Sequence, residues 1–150
     1  MKVIDRFTGD YSFLSNFYPC CIEFYGMSFP SVEAAFQAAK CADPRDRAQF
    51  LTLTPAQAKR RGRQVKMCSD WDDRKLTIMH DLLVHKFNDN PELIPKLLDT
   101  GGAVLVEGNT WHDNYWGCCT CPRCGGSRGR NNLGRLLMRL RADYMRSIGR

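Results

Sequence analysis

The sequence lacks the long apolar run that a membrane span requires. None of its hydrophobic segments approaches the roughly 20 residues that cross a bilayer as a helix. The N-terminal residues MKVIDRF become charged directly after Val3 and Ile4, which predicts that they are not a secretory signal peptide. We therefore expect a soluble, cytoplasmic protein that acts without a membrane.

Internal repeats and linker-like segments are also missing. A chain of 150 residues has the length of one ordinary domain and can bury a core of its own. Its hydrophobic fraction of 43% and charged fraction of 25% are typical of globular proteins, which argues against a disordered or coiled-coil chain. We expect one domain over residues 1–150.

Acidic residues are in the minority, and the formal net charge is +6. The excess of lysine and arginine is concentrated in residues 59–63 and between Arg128 and Arg150. Such a field favours phosphate-bearing partners, either a phosphorylated nucleotide or a nucleic acid, and the alternative is that it serves only solubility. The sequence has no recognisable nucleic-acid-binding module, so the charge alone does not identify the partner.

Four of the eight cysteines are clustered as Cys118, Cys119, Cys121 and Cys124. Without a signal peptide, reduced thiols are expected rather than a disulfide framework. Zinc usually takes tetrahedral ligands from two separated C-x-x-C knuckles, and the second knuckle is missing here. Two interpretations stay open: a structural zinc held by Cys119, Cys121 and Cys124, with His112 as a further candidate ligand, or reduced loop thiols.

The segment PSVEAAFQAAK, residues 30–40, predicts a helix from Ser31 to Cys41 with three polar side chains on one face. Offsets of four and seven residues bring Glu33, Gln37 and Lys40 together, and Ser31 is placed to cap the N-terminus. A carboxylate, an amide and an amine in this order can carry out acid–base chemistry or attack a carbonyl-like carbon. The alternative is a solvated helix face with charges placed favourably against the helix dipole.

The rest of the chain predicts mainly helices, with a few short strands. Asp70 begins the strongest helical pattern, in which Leu76, Met79, Leu83 and Phe87 would face the core. Strands are expected at 3–4, at 21–24 before a turn at 25–26, and at 103–107, where an apolar run suggests burial on both faces. Other helices are expected at 45–51, 55–61 and 91–98 and from 132 onward, with loops at 8–20 and 108–131.

The second loop is long enough to suggest a functional segment. It contains Trp111, Asp113, Tyr115 and Trp116, so that aromatic faces lie next to a carboxylate in the sequence. Aromatic rings can stack on a nucleobase while a carboxylate binds ribose hydroxyls or polarises water. The alternative is that the tryptophans only cover the core.

Several segments in fixed order make the chain resemble the NADAR family, also called YbiA-like. They are FLSNF (13–17), PSVEAAFQAAK (30–40), AKRRGR (58–63), DW (70–71), HKF (85–87), LVE (105–107), DNYWG (113–117) and NNLGRLLMRLR (131–141). The resemblance implies one α+β domain of the YbiA-like type, mainly helical around a small β-sheet. A Cys-rich loop insert at about 117–130 departs from the family's best-known bacterial member.

The resemblance also implies an N-glycosidase that requires no cofactor. Family members cleave N-glycosidic bonds in phosphorylated riboflavin-pathway intermediates or remove ADP-ribose from guanine in DNA. By position, Glu33 corresponds to the active-site glutamate, Lys40 to the lysine that forms an imine with the opened sugar, and Asp113 to a loop residue of the site. The substrate-binding residues expected on this basis are Asn16, Phe17, Gln37, Trp71, Trp116 and Asn132.

Two mechanisms and several functions remain open at this point. Lys40 could displace the base nitrogen as a Schiff base, or water could attack directly while Glu33 or Asp113 stabilises an oxocarbenium ion. The substrate would be ADP-ribosylated guanine in nucleic acid, slightly favoured by the arginine excess, or a phosphoribosylamino-pyrimidine. The alternatives to an enzyme are a non-catalytic module that binds NAD or ADP-ribose and a zinc-knuckle nucleic-acid binder.

Overall fold

The structure is a computed structural model and describes residues 1–125 and 129–149. Some residues of the predicted Cys-rich insert and of the basic C-terminal segment lie outside these ranges. They are residues 126–128, which include Arg128, and the terminal Arg150. The strands are β1 (Val3–Ile4), β2 (Ile22–Phe24), β3 (Met27–Phe29), β4 (Val104–Leu105), β5 (Gly108–Asn109) and β6 (Cys118–Cys119). The α-helices are α1 (Val32–Ala39), α2 (Pro55–Gly62), α3 (Trp71–Asp89), α4 (Leu93–Asp99) and α5 (Asn132–Ser147). Two 3-10 helices span Gly9–Leu14 and Pro44–Thr52.

The α+β class predicted from the sequence is confirmed, with the strands divided among three two-stranded sheets. β1 pairs with β4 in parallel, β2 with β3 antiparallel, and β5 with β6 in parallel. The strand expected at 103–107 is shorter than predicted, because the Gly108 N–H turns back to the Val106 carbonyl at 3.0 Å. Among the described residues, no helix is long and apolar enough to cross a membrane.

The chain divides into two compact units. The first consists of residues 1–15 and 92–150, and the second of residues 16–91. In the second unit, β2 and β3 form a hairpin whose turn residues Tyr25 and Gly26 both have positive φ, 53° and 71°. This conformation matches the right-handed twist of the two strands and confirms the turn predicted at this position.

Helix α1 lies at the centre of the second unit, packed by α2, α3 and the 3-10 helix Pro44–Thr52. The sequence predicted an ordinary helix at 45–51. The structure has the tighter 3-10 form there, and in this segment only Phe50 is buried. A single buried side chain leaves the segment without the apolar stripe that stabilises an α-helix by tertiary packing.

Helix α3 confirms the predicted start after Asp70 and most of the predicted core positions. Met79, Leu83 and Phe87 are buried, but Leu76 is 41% exposed. A feature that the sequence analysis missed is Lys86, which is fully buried in α3. Desolvation lowers the pKa of Lys86 to about 8, against a smaller opposing effect of Cys20.

In the first unit, α5 packs closely on strand β4. A side chain at Gly134 would collide with the Leu105 carbonyl oxygen, so the close approach requires glycine. The buried guanidinium of Arg141 donates hydrogen bonds of 2.8 Å to Thr100 Oγ1 and to the Ala103 carbonyl. These two bonds connect α5 to the end of α4 and the beginning of β4.

Candidate active site

Helix α1 forms within the predicted range, but its last helical residue is Ala39 and not Cys41. Ser31 is the N-cap, and its Oγ accepts a hydrogen bond of 3.1 Å from the Ala34 N–H. The Glu33 N–H, which has no partner within the helix, donates to the Asn16 carbonyl at 3.1 Å. The segment that contains Asn16 and Phe17 is therefore attached to the N-terminus of α1.

The polar face of α1 is buried rather than solvated. Glu33 is 8% exposed and Gln37 is 7% exposed, and every residue from Val32 to Ala39 is buried. The alternative of a solvated helix face is therefore wrong for these two side chains. Burying a carboxylate costs free energy, and apolar packing does not compensate for this cost. Buried ionisable groups are therefore typical of functional sites.

Glu33, Gln37 and Lys40 form a hydrogen-bonded chain along this face. Gln37 Nε2 donates to Glu33 Oε1 at 3.1 Å, and Lys40 Nζ donates to Gln37 Oε1 at 3.4 Å. The amide is thus oriented by both neighbours, because a carboxylate only accepts and an ammonium group only donates. The structure brings together three of the residues that the sequence predicted.

Burial lowers the pKa of Lys40 below its ordinary value. Glu33 and Cys41 act in the opposite direction, and the positive charge of Arg63 adds to the lowering. Because the net direction is downward, more of the lysine is an uncharged amine near neutral pH than for an exposed lysine. Only the uncharged amine is a nucleophile.

Gly62, at the end of α2, is a residue of this site that the sequence analysis missed. A Cβ at position 62 would overlap Gln37 Oε1 and lie 2.5 Å from Gln37 Cδ. Only glycine leaves room for the Gln37 amide in its present position. The glycine of AKRRGR lies at the end of a predicted helix, where the local pattern suggests a C-cap and does not identify Gln37 as its neighbour.

The other predicted residues of the second unit have different surroundings. Asn16 Nδ2 lies 3.6 Å from Met79 Sδ, and Asn16 Oδ1 is buried without a hydrogen-bond partner among the described residues. Phe17 is 42% exposed. Trp71 is buried against Phe36, with ring centroids 5.0 Å apart. Trp71 thus packs on α1, and its contact with a substrate stays a prediction.

Asp113, in the first unit, is held in a tight turn. Its Oδ1 accepts hydrogen bonds from the backbone N–H groups of Tyr115 and Trp116, at 3.1 and 2.9 Å. The buried Asn109 side chain accepts from the Asp113 N–H at 3.1 Å and donates to the Asp113 carbonyl at 2.8 Å. The carboxylate therefore has a structural task in addition to any chemical one.

The residues after Asp113 are attached to the start of α5. The Asn132 N–H donates to the Tyr115 carbonyl at 3.2 Å, and the Leu133 N–H donates to the Trp116 carbonyl at 3.0 Å. Trp116 and Tyr115 also pack edge to face, with ring centroids 4.7 Å apart. The predicted substrate-binding residues Trp116 and Asn132 therefore belong to one hydrogen-bonded corner.

The three predicted metal ligands are also brought together. The sulfur atoms of Cys119, Cys121 and Cys124 and a ring nitrogen of His112 all lie within 4.8 Å of one another. Cys118 is not part of this group, since its Sγ faces the Gly129 carbonyl at 3.6 Å.

Comparison with known proteins shows the family. The model of the NADAR domain matches residues 5–145. The chain belongs to the NADAR domain family. It is 37% identical over 135 residues to the N-glycosidase YbiA of Escherichia coli, covering 88% of this chain and 81% of YbiA. The NMR structure of E. coli YbiA superposes with a TM-score of 0.82 at 32% identity, over 99% of this chain and 89% of that one.

A longer relative contains a similar region. The riboflavin biosynthesis protein VVA0006 of Vibrio vulnificus is 36% identical over 137 residues, which are 89% of this chain. The chain spans only 36% of the length of that relative.

We predict that Gly62→Ala displaces the Gln37 side chain and destabilises the protein. Overpacking typically costs about 1–3 kcal/mol, and the higher helix propensity of alanine returns up to about 1 kcal/mol. Urea unfolding should show a net loss of about 1–2 kcal/mol, and the NMR signals of the Gln37 side-chain amide should shift.

Gly102→Ala is the matched control, because a Cβ at Gly102 meets nothing within 4 Å. Its unfolding free energy should stay within about 0.5 kcal/mol of the wild type. If Gly62→Ala has the stability of the wild type and the NMR signals of its Gln37 side-chain amide do not shift, then the close approach of Gly62 does not position Gln37.

Proposed function

We propose that this protein is an N-glycosidase that cleaves the bond between C1′ of a phosphorylated ribose and a nitrogen of the attached base. The buried chain of Glu33, Gln37 and Lys40 is the observation that carries the proposal. Membership of the NADAR domain family and the similarity to a protein named N-glycosidase support it. A binder that performs no chemistry gains nothing from burying a carboxylate next to an amine of lowered pKa.

Glu33 is suited to move the protons of this reaction. N-glycoside cleavage requires a proton at the ring oxygen or the leaving nitrogen, and it requires a base for the attacking group. In its first-turn position Glu33 accepts a hydrogen bond from Gln37 through Oε1. We propose that Glu33 takes up a proton as the base and then returns it as the acid.

Lys40 is proposed as the nucleophile. In the ring-opened form of the substrate, its amine adds to C1′, the C1′–N bond to the base breaks, and the base leaves with a proton. Water then hydrolyses the imine, which releases the free sugar and regenerates the amine. The lowered pKa of Lys40 supports this role over that of a permanent cation.

Basic groups near α1 support a phosphorylated substrate. Lys59, Arg60 and Arg61 occupy the last turn of α2, and the charge of Arg63 acts on Lys40. A phosphoribosylamino-pyrimidine is the first candidate, because a relative is named as a riboflavin biosynthesis protein. ADP-ribosylated guanine in nucleic acid is the second, and the net charge of +6 favours it.

Two groups of the 16–17 segment are proposed to contact the substrate. The buried Asn16 Oδ1 can accept a hydrogen bond from a ribose hydroxyl. The exposed ring of Phe17 can stack on the base, and Lys59 Nζ lies 6.0 Å from the centroid of this ring, which brings a positive charge to the same place.

Replacing Glu33 with glutamine should abolish turnover while the protein stays folded. Glutamine can still accept the hydrogen bond from Gln37 but cannot transfer a proton, so we expect a loss of at least about 100-fold. Hydrolysis of a phosphoribosylamino-pyrimidine and of ADP-ribosylated guanine DNA should be measured side by side, with thermal unfolding as the control for folding.

The pattern of cleavage identifies the substrate class. Unchanged turnover in Glu33→Gln would remove Glu33 from the mechanism. If the wild type cleaves neither substrate but binds ADP-ribose in calorimetry, the protein is a binding module and the proposed activity is wrong.

Borohydride added during turnover should trap a covalent adduct between the sugar and Lys40. Lys40→Ala should lose the adduct, whereas Lys75→Ala should keep it, because Lys75 pairs with Asp72 and is not a member of the Glu33–Gln37–Lys40 chain. Mass spectrometry of the digested protein locates the modified residue. Turnover without any trapped adduct would favour direct attack by water instead.

Two substitutions of Asp113 separate its chemical role from its structural one. Asp113→Asn keeps the Oδ1 acceptor for the N–H groups of Tyr115 and Trp116, whereas Asp113→Ala removes it. We expect both variants to lose turnover and only Asp113→Ala to lose stability, by about 1–3 kcal/mol. A fully active Asp113→Asn would show that Asp113 only shapes the turn.

A further inference from the structure

We propose that His112, Cys119, Cys121 and Cys124 bind one zinc ion as a closed structural site. The proposal is independent of the N-glycosidase activity, because it rests on the geometry of this cluster alone. It concerns the segment between Glu107 and Asn132, which contains Asp113.

The four ligand atoms are spaced for tetrahedral coordination. His112 Nδ1 lies 3.8 Å from Cys119 Sγ, 3.4 Å from Cys121 Sγ and 3.3 Å from Cys124 Sγ. Zinc–sulfur bonds of about 2.3 Å and zinc–nitrogen bonds of about 2.0–2.1 Å place tetrahedral N and S ligands about 3.5 Å apart. The three N–S distances agree with that spacing, and all four ligand atoms lie within 4.8 Å of one another, so one ion can reach all four.

Cys121 and Cys124 form the knuckle that the sequence suggested. The N–H groups of Cys124 and Gly125 both donate to the Cys121 carbonyl at 3.2 Å, and Gly125 closes the turn with a φ of 72°. This turn holds the two sulfurs of the C-x-x-C pair within reach of one ion, as a zinc knuckle does.

The second pair of ligands comes from elsewhere in the segment, which is why no second knuckle is needed. Cys119 is buried in β6, and its Sγ accepts a hydrogen bond of 3.5 Å from the Cys121 N–H. His112 has a φ of 69°, a left-handed conformation that costs free energy for a residue other than glycine. This unfavourable backbone conformation occurs where the His112 imidazole lies next to the three sulfurs.

The donor set selects zinc and a structural role. Three thiolates and one imidazole in a tetrahedron suit Zn²⁺, whereas Mg²⁺ and Ca²⁺ require oxygen ligands. Four protein ligands leave no position for a water molecule, which distinguishes structural from catalytic zinc sites.

Arg123 must move when the ion binds. Its guanidinium lies 2.8 Å from His112 Nε2, the ring nitrogen that points away from the sulfurs. With zinc on Nδ1, the neutral imidazole carries its proton on Nε2, so two donors would face each other. Arg123 is exposed and can turn into solvent, and Arg123→Ala should therefore bind zinc at least as tightly as the wild type.

The zinc content of protein purified without chelator tests the proposal. We expect about one zinc per chain in the wild type and almost none in a Cys121→Ser, Cys124→Ser double variant. Cys118→Ser is the matched control, because its thiol is adjacent in sequence but faces the Gly129 carbonyl. It should retain the zinc of the wild type.

A second measurement covers the case in which the double variant fails to fold. Chelator-treated wild type should take up Co²⁺ with the intense visible absorption of a tetrahedral thiolate site, and added Zn²⁺ should remove that absorption and raise the Tm.

Three results would overturn the proposal. The first is that zinc does not change the Tm of the wild type and cobalt gives no visible spectrum. The second is a Cys121–Cys124 disulfide found by mass spectrometry in freshly purified protein. The third is zinc that remains bound in the folded double variant.

Discussion

The candidate active site depends on the Gln37 amide, which lies between Glu33 and Lys40. If the carboxylate contacted the ammonium group directly, the ion pair would raise the pKa of the lysine and keep it charged. The amide satisfies both groups while it separates them, so desolvation prevails and the pKa of Lys40 is lowered. Gly62 makes this arrangement sterically possible, because any larger residue there would occupy the place of the amide.

The helix face was predictable from the sequence, but its burial was not. The offsets of Glu33, Gln37 and Lys40 are local, and the period of the α-helix alone brings the three side chains together. Whether that face meets water depends on α2 and α3, which pack from distant positions in the chain. For the same reason Gly62 was missed, because its importance lies in a contact with Gln37 that no local pattern encodes.

The cysteine segment shows the same division between local and distant information. The C-x-x-C spacing of Cys121 and Cys124 is local and predicted a knuckle. The remaining half of the cluster depends on the left-handed backbone of His112 and on the two-residue pairing of β6 with β5. Neither feature has a sequence signature, since positive φ is uncommon for every residue type except glycine and strands of two residues show no alternation.

The segment from Glu107 to Asn132 has little apolar material with which to order itself. In its described part, only Asn109, Gly117 and Cys119 are buried, and Trp111 is 56% exposed. Its conformation therefore rests on polar contacts, such as the paired hydrogen bonds between Asn109 and Asp113, and on the His–Cys cluster. Small regions without a core commonly obtain their stability from a metal ion. A zinc in this cluster would therefore hold His112 and Cys119 in place and so fix the residues on either side of Asp113.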